Sequence, residues 1–165
     1  MSSIILHPDT PCCYPTDLGM NKVTGVSNST TLIAAFRNES SLANLRANLQ
    51  HMEFLATNAS ADTPVTIQLV SNPIVTGGTW SNVEGSELEI NQTGTVSNGK
   101  VALTSYISAV HHQGNQPSSS PTAVEDASDL GLRLFKGNIF AIFASTDTAA
   151  ATCSLAWSIN WLEID

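Results

Sequence analysis

The sequence predicts an all-β protein: an antiparallel sandwich of about eight short strands behind an irregular, proline-rich N-terminal arm. Three observations lead there. From residue 64 onward, short runs alternate apolar and polar residues with period two. Gly, Asn and Pro stand between those runs at turn positions. Charged residues make up only 12% of the chain, against about 25% in ordinary globular proteins. Ser, Thr, Asn and Ala fill the gap, and these are short residues of turns and polar strand faces. A length of 165 residues suits one domain with a proper core. The chain divides into an extended arm over 1–29 and a sandwich body over 30–165.

The arm carries Pro8, Pro11 and Pro15, with Gly19 and Gly25 after them. Proline removes a backbone donor and fixes φ, so this stretch reads as an extended arm or lid. Its "SIIL" is a candidate edge strand or a docking segment on a neighbour. Residues 30–37, "TTLIAAFR", are β-like. Residues 42–57, "LANLRANLQHMEFLAT", fit two periods. Leu42, Leu45, Leu49 and Met52 sit at helical spacing behind a possible Ser cap. Leu45, Ala47 and Leu49, then Met52 and Phe54, read as alternation with a change of register. Propensity alone leans to the helix.

Later elements are plainer. "PVTIQLV" (64–70) puts Val65, Ile67 and Leu69 on one face and ends before Pro73. "NPIVTGGTWSNV" (72–83) reads as a sandwich corner, with Gly77-Gly78 allowing a bend and Trp80 returning to the core or to a partner. "ELEI" (87–90) turns Leu88 and Ile90 inward. Asn98-Gly99 between two alternating runs predicts a type I′ hairpin. A Ser/Pro/Gln-rich stretch (111–128) is long enough for a functional loop. "LGLRLF" (130–135) aligns Leu130, Leu132 and Leu134, and "NIFAIFAS" (138–145) follows. The last run, 152–164, sends Cys153, Leu155, Trp157, Ile159 and Trp161 to one face and reads as a central strand.

Charge narrows the function. The formal net charge is −8, with six Lys and Arg in all. Phosphate backbones are bound through cations that release counterions, so nucleic acid is not an expected partner, nor is an anionic membrane surface. No run approaches the ~18 apolar residues of a membrane helix. The opening "MSSIILHPDTPCC" lacks the basic and apolar regions of a signal peptide, so folding in a reducing cytoplasm is expected. Cys12, Cys13 and Cys153 make no disulfide framework and no zinc spacing. His111-His112 and the acids Glu125, Asp126 and Asp129 lack the spacing of a metal or calcium site. Glu87 and Glu89 share a strand face, the arrangement a glycosidase uses, but they read better as its wet side. Four N-x-S/T sequons, at Asn28, Asn38, Asn58 and Asn91, are expected by chance in such a composition. No nucleophile or cofactor motif stands out, and no enzyme, metal or cofactor is expected.

The order of segments carries a resemblance. An alternating strand is followed by "SNPIVTGGTWSNV", a short acidic-apolar strand, "TGTVSNGKVALTSYIS", a Gly/Pro/Ser-rich loop, "LGLRLF", "IFAIFAS" and a terminal strand "SLAWSINWLEI". Over residues 32–165 this resembles tailed-bacteriophage virion structural proteins of the capsid cement (decoration) and knob type. The resemblance implies a single jelly-roll-like sandwich that forms a homotrimer, and it implies a strand over 42–57. It also implies a non-enzymatic role on the outer capsid surface, bridging major capsid protein subunits. The alternative within the same group is a receptor-binding knob among tail components, with 111–128 as its contact loop. Ile4, Ile5, Leu6 and Tyr14 of the arm, with Trp80 and Trp161, are the candidate interface residues.

Overall fold

In the computed structural model, which describes residues 13–57, 59–83, 86–110, 122–124, 132–149 and 151–164, the first element already departs from an irregular arm. Strand β1 (Cys13–Val26) runs antiparallel to the last strand of the chain, with Cys13 opposite Ile164 and Val23 opposite Leu155. Two register irregularities fall between Leu18 and Asn21 and between Val23 and Val26, the stretches that contain Gly19 and Gly25. Strand β2 (Thr31–Asn38) follows, then β3 (Arg46–Thr57). Residues 46–57 are therefore a strand, not the helix that propensity favours. Asn160 pairs with His51 and Trp161 with Leu49, so Gln50 is an extra residue in the ladder. This bulge lets Leu49 and Met52, three positions apart, both face the core. The same spacing made the stretch look helical.

Strand β4 (Thr63–Ser71) leads into an excursion of short strands: β5 (Ile74–Thr76), β6 (Ser81–Asn82), β7 (Leu88–Asn91) and β8 (Thr95–Ser97). Strand β9 (Lys100–Val110) returns along β4. After β10 (Thr122–Val124) and β11 (Arg133–Phe135), the long strands β12 (Ile139–Thr146) and β13 (Cys153–Ile164) complete the body. Leu134 is buried and Leu132 half-buried, as the alternation of that run requires. Among the described residues no helix is found.

The pairing is nested. The first long strand pairs with the last (β1 with β13), β2 with β12, β3 with β10 and β11, and β4 with β9. Cross-links between β13 and β3 and between β12 and β4 join these ribbons into two sheets. One sheet has the order β1-β13-β3-β10, with β11 also on β3. The other has the order β6-β7-β2-β12-β4-β9. A long two-stranded ribbon rolled so that its successive pairs fall alternately in two layers is a jelly roll. The core lies between the layers and centres on Phe36, Phe140, Trp157 and Trp161. Phe36 meets both indoles edge-on, with ring centroids 5.8 Å from Trp157 and 4.9 Å from Trp161. It stacks on Phe140 at 5.0 Å.

Asn98-Gly99 does not form the expected hairpin turn. β8 pairs with β5, and β9 pairs with β4. Ile74 faces Ser97 and Ser71 faces Lys100, so the ribbon keeps its register across Asn72-Pro73 and Asn98-Gly99. What stands there is a kink. Asn72 and Asn98 take positive φ of 45° and 56°, which asparagine tolerates better than most residues. Gly99 is needed for close approach: a Cβ there would collide with Val70 Cγ1 and stand 3.1 Å from Pro73 Cβ. The Gly77-Gly78 bend does form, both residues at positive φ of 67° and 69°. A Cβ on Gly78 would collide with the side chain of Asn91.

Candidate functional site

The six candidate interface residues do not gather in one place. Ile4, Ile5 and Leu6 lie outside the described residues, as does the side chain of Tyr14, whose backbone pairs with Glu163 in the β1–β13 ladder. Trp161 is a correction. It is only 1% exposed and packs edge-on against Phe36 and Phe140, so it is a core residue that reaches the wall of a cleft between the layers and offers no exposed surface of its own. Five inward positions on β13 made it central, and a central strand of a two-layer body has one face in the core. Trp80 is half-buried, on the outer side of the second sheet.

Trp80 has company that the sequence did not reveal. Arg37 and Glu89 are cross-strand partners on β2 and β7, and Arg37 Nε donates to Glu89 Oε2. The guanidinium carbon of Arg37 lies 4.3 Å above the centre of the Trp80 ring. A half-buried cation thus sits between a carboxylate and an indole face, an arrangement worth about 1–2 kcal/mol as desolvation sharpens it. Glu89 is committed to this pair, and Glu87 is exposed while its N–H donates to the buried carboxylate of Glu163. Ser86 also donates through Oγ to Glu163, pinning the segment before β7 to β13. Of the two carboxylates expected on a wet strand face, that of Glu89 pairs with Arg37 while Glu87 is exposed.

A cleft opens between the layers on the flank where β3, β11, β12 and the end of β4 meet. Leu49, Leu132, Leu134, Ile139, Phe140 and Trp161 supply its apolar wall, and Ser71, Asn72, Arg133 and Asn138 stand around it. Its free volume is about 60 Å³. Among the described residues the third ribbon contributes two three-residue strands, β10 and β11, on separate parts of β3. Near this flank Phe135 is 47% exposed, and farther along the kinked ribbon Ile74 and Val101 are 52% and 56% exposed. The Phe135 signal was legible: it lies one residue from the inward Leu134 and so on the opposite face.

Two of the four sequons are structural. Asn38 is fully buried, its amide donating to Leu45 O at 2.8 Å and Leu134 O at 3.0 Å while its Oδ1 accepts from Ser40 N. Asn91 donates to Gly77 O and accepts from Thr93 N and Gly94 N, holding the bend before β6. Neither amide is free for a glycan. Cys153 is buried, and desolvation pushes its thiol up to about 11, which leaves it protonated and inert near neutrality. His111, His112, Glu125, Asp126 and Asp129 lie outside the described residues, and of the 111–128 segment only β10 is described.

No protein-family model matches the chain, and comparison with curated proteins finds no match.

Proposed function

We propose that this chain is a non-enzymatic tailed-phage virion protein, a trimeric capsid cement protein that bridges neighbouring major capsid subunits on the outer shell. The observation that carries the reading is its surface of docking elements. Among the described residues β1 runs for 14 residues as the outermost strand of its sheet, with one edge paired to β13. A long strand edge is a template for strand addition by another chain. Exposed Phe135, Ile74 and Val101 add apolar contact area. The scarcity of long charged side chains keeps the entropy cost of burying such a surface low. A cement protein draws its effect from buried area multiplied over many copies, and an acidic one is not captured by packaged DNA. Neither nucleic acid nor membrane enters this reading.

The test has two parts. Light scattering on the purified protein gives a trimer mass, and capsids without it rupture at lower temperature or milder osmotic shock. Capsids of unchanged resistance remove the proposal.

A receptor-binding knob among tail components is the second reading, and Trp80 favours it. A half-buried indole flanked by Arg37 and Glu89 resembles the mixed aromatic and polar floor on which sugars stack. In that case Trp80→Ala abolishes adsorption to cells and leaves capsid resistance unchanged.

A further inference from the structure

We infer that Asn98 is a site of spontaneous modification, where the side-chain amide is lost as ammonia after attack by the Gly99 backbone nitrogen. Asparagine is thermolabile because its amide can leave in this way. The reaction uses only the chain and water. The Gly99 N–H gives up its proton, and the nitrogen bonds to Cγ of Asn98. The Cγ–Nδ2 bond breaks and ammonia departs, which closes a succinimide ring. Water then opens the ring at either carbonyl. Opening at the former side-chain carbonyl gives aspartate. Opening at the former backbone carbonyl gives isoaspartate, in which the main chain runs through the old side chain.

Three conditions must meet at one asparagine. The amide is open to water, the following N–H is held by no acceptor, and no side chain shields that nitrogen. Asn98 and Gly99 are both exposed. Among the described residues, neither the Asn98 side chain nor the Gly99 N–H makes a hydrogen bond. Glycine has no Cβ to stand beside its nitrogen. The kink supplies all three. Both residues stand between β8 and β9, outside either ladder, with Asn98 at a φ of 56°. A Cβ on Gly99 would collide with Val70 Cγ1, so the packing that demands glycine also keeps the attacking nitrogen bare.

The other exposed asparagines among the described residues each fail a condition. Asn72 precedes Pro73, whose nitrogen has no proton to give up. After Asn28, the Ser29 N–H donates to Ser27 Oγ at 3.3 Å. After Asn82, the Val83 N–H donates to Leu88 O at 2.9 Å. Asn44 precedes the large, buried side chain of Leu45. The two products differ in effect. Aspartate tolerates the left-handed backbone much as asparagine does. Isoaspartate adds a carbon to the chain between Ser97 and Lys100, whose cross-strand partners are Ile74 and Ser71. The ladders on the two sides of the kink then lose their common register.

The experiment incubates the whole native chain in warm, mildly alkaline buffer, maps its peptides by mass spectrometry and counts isoaspartate with an isoaspartyl methyltransferase. We expect a gain of one dalton at Asn98, about tenfold or more faster than at Asn28, Asn44 or Asn82, with isoaspartate among the products. In urea, Asn98 should react at a similar rate, while Asn28 and Asn82 should react faster than in the native chain. Asn98→Gly keeps positive φ accessible, so it should fold as the parent does and lose the signal at this position. The aged chain should melt below freshly purified Asn98→Asp, which carries the same charge on an ordinary backbone. Asn98 that stays intact in the native chain overturns the site, and so does equal reaction at Asn28, Asn44 or Asn82. Equal melting of the aged chain and Asn98→Asp overturns the loss of register.

Discussion

Asn38 holds three backbone groups with one side chain. Its amide satisfies the carbonyls of Leu45 and Leu134, and its Oδ1 takes the Ser40 N–H, all in the absence of solvent. It ties the end of β2 to the loop before β3 and to β11, the strand that flanks the cleft. Asn38→Ala strands those groups, at a cost of about 3 kcal/mol, which lowers the melting temperature by roughly 6–12 °C in a domain of this size. Asn38→Asp keeps the shape but loses the two donated bonds and buries a charge, so it should be at least as damaging. A melt of either variant within a degree of the parent would show that β11 is held by other means. Cys153 gives a residue-scale pH test. Its folded pKa of about 11 lies above the ordinary 9.0, so the protonated thiol stabilises the fold fully below pH 9. That contribution is lost as pH rises through 11, by about 2–3 kcal/mol in total. Unfolding titrations of the parent and of Cys153→Ala should run parallel up to pH 9 and converge above it. Parallel curves throughout would place the thiol in contact with water.

At the scale of elements, the kinked ribbon and the bulged strand show where sequence reading worked and where it did not. Alternating runs named β4, β7, β9, β12 and β13 correctly, and on β4 and β13 one face is buried, which makes period two obligatory there. β3 defeated periodicity because the bulge at Gln50 places Leu49 and Met52 at helical spacing inside an extended strand. Asn98-Gly99 misled for a different reason. Asn-Gly is favoured wherever a left-handed residue precedes a crowded one, and a turn is only one such place. Here Gly99 yields to Val70 and Pro73 across the ribbon, and its own φ is not positive. Gly99→Ala should therefore cost about 1–3 kcal/mol through overpacking. Combined with Val70→Ala, much of that penalty should vanish, a coupling that a double-mutant cycle reads directly. Strict additivity of the two substitutions would assign the glycine to backbone conformation instead. The cleft was not legible, since its lining comes from β3, β4, β11, β12 and β13, far apart in sequence. Nor was the pairing of Arg37 with Trp80, 43 positions apart in sequence and brought together by the loop that β7 carries back to β2.

Nested pairing makes the whole molecule depend on its first strand. The proline pattern of residues 1–29 suggests a separable arm, and a separable arm is removed without harm to the body. In the structure Cys13–Val26 instead completes the outermost ribbon, pairing along the length of β13. β13 is the strand that carries Trp157, Ile159 and Trp161 into the core and has β3 on its other side. Prolines are compatible with this position, since an edge strand can leave the side without N–H donors turned to solvent. Deleting residues 1–26 should then do two things. It exposes the backbone of the strand richest in large buried side chains, and it uncovers the end of the core beneath Val26, which is fully buried. The truncated chain should melt well below the parent and aggregate on warming, because an exposed, long, apolar strand edge recruits other chains. A shorter deletion, of residues 1–12, leaves the described β1–β13 ladder whole and is the control: it should melt well above the longer deletion. Equal melting temperatures for the two deletions would mean that β1 contributes nothing to the body and that 1–29 is an arm in the full sense, available along its whole length to a neighbouring subunit.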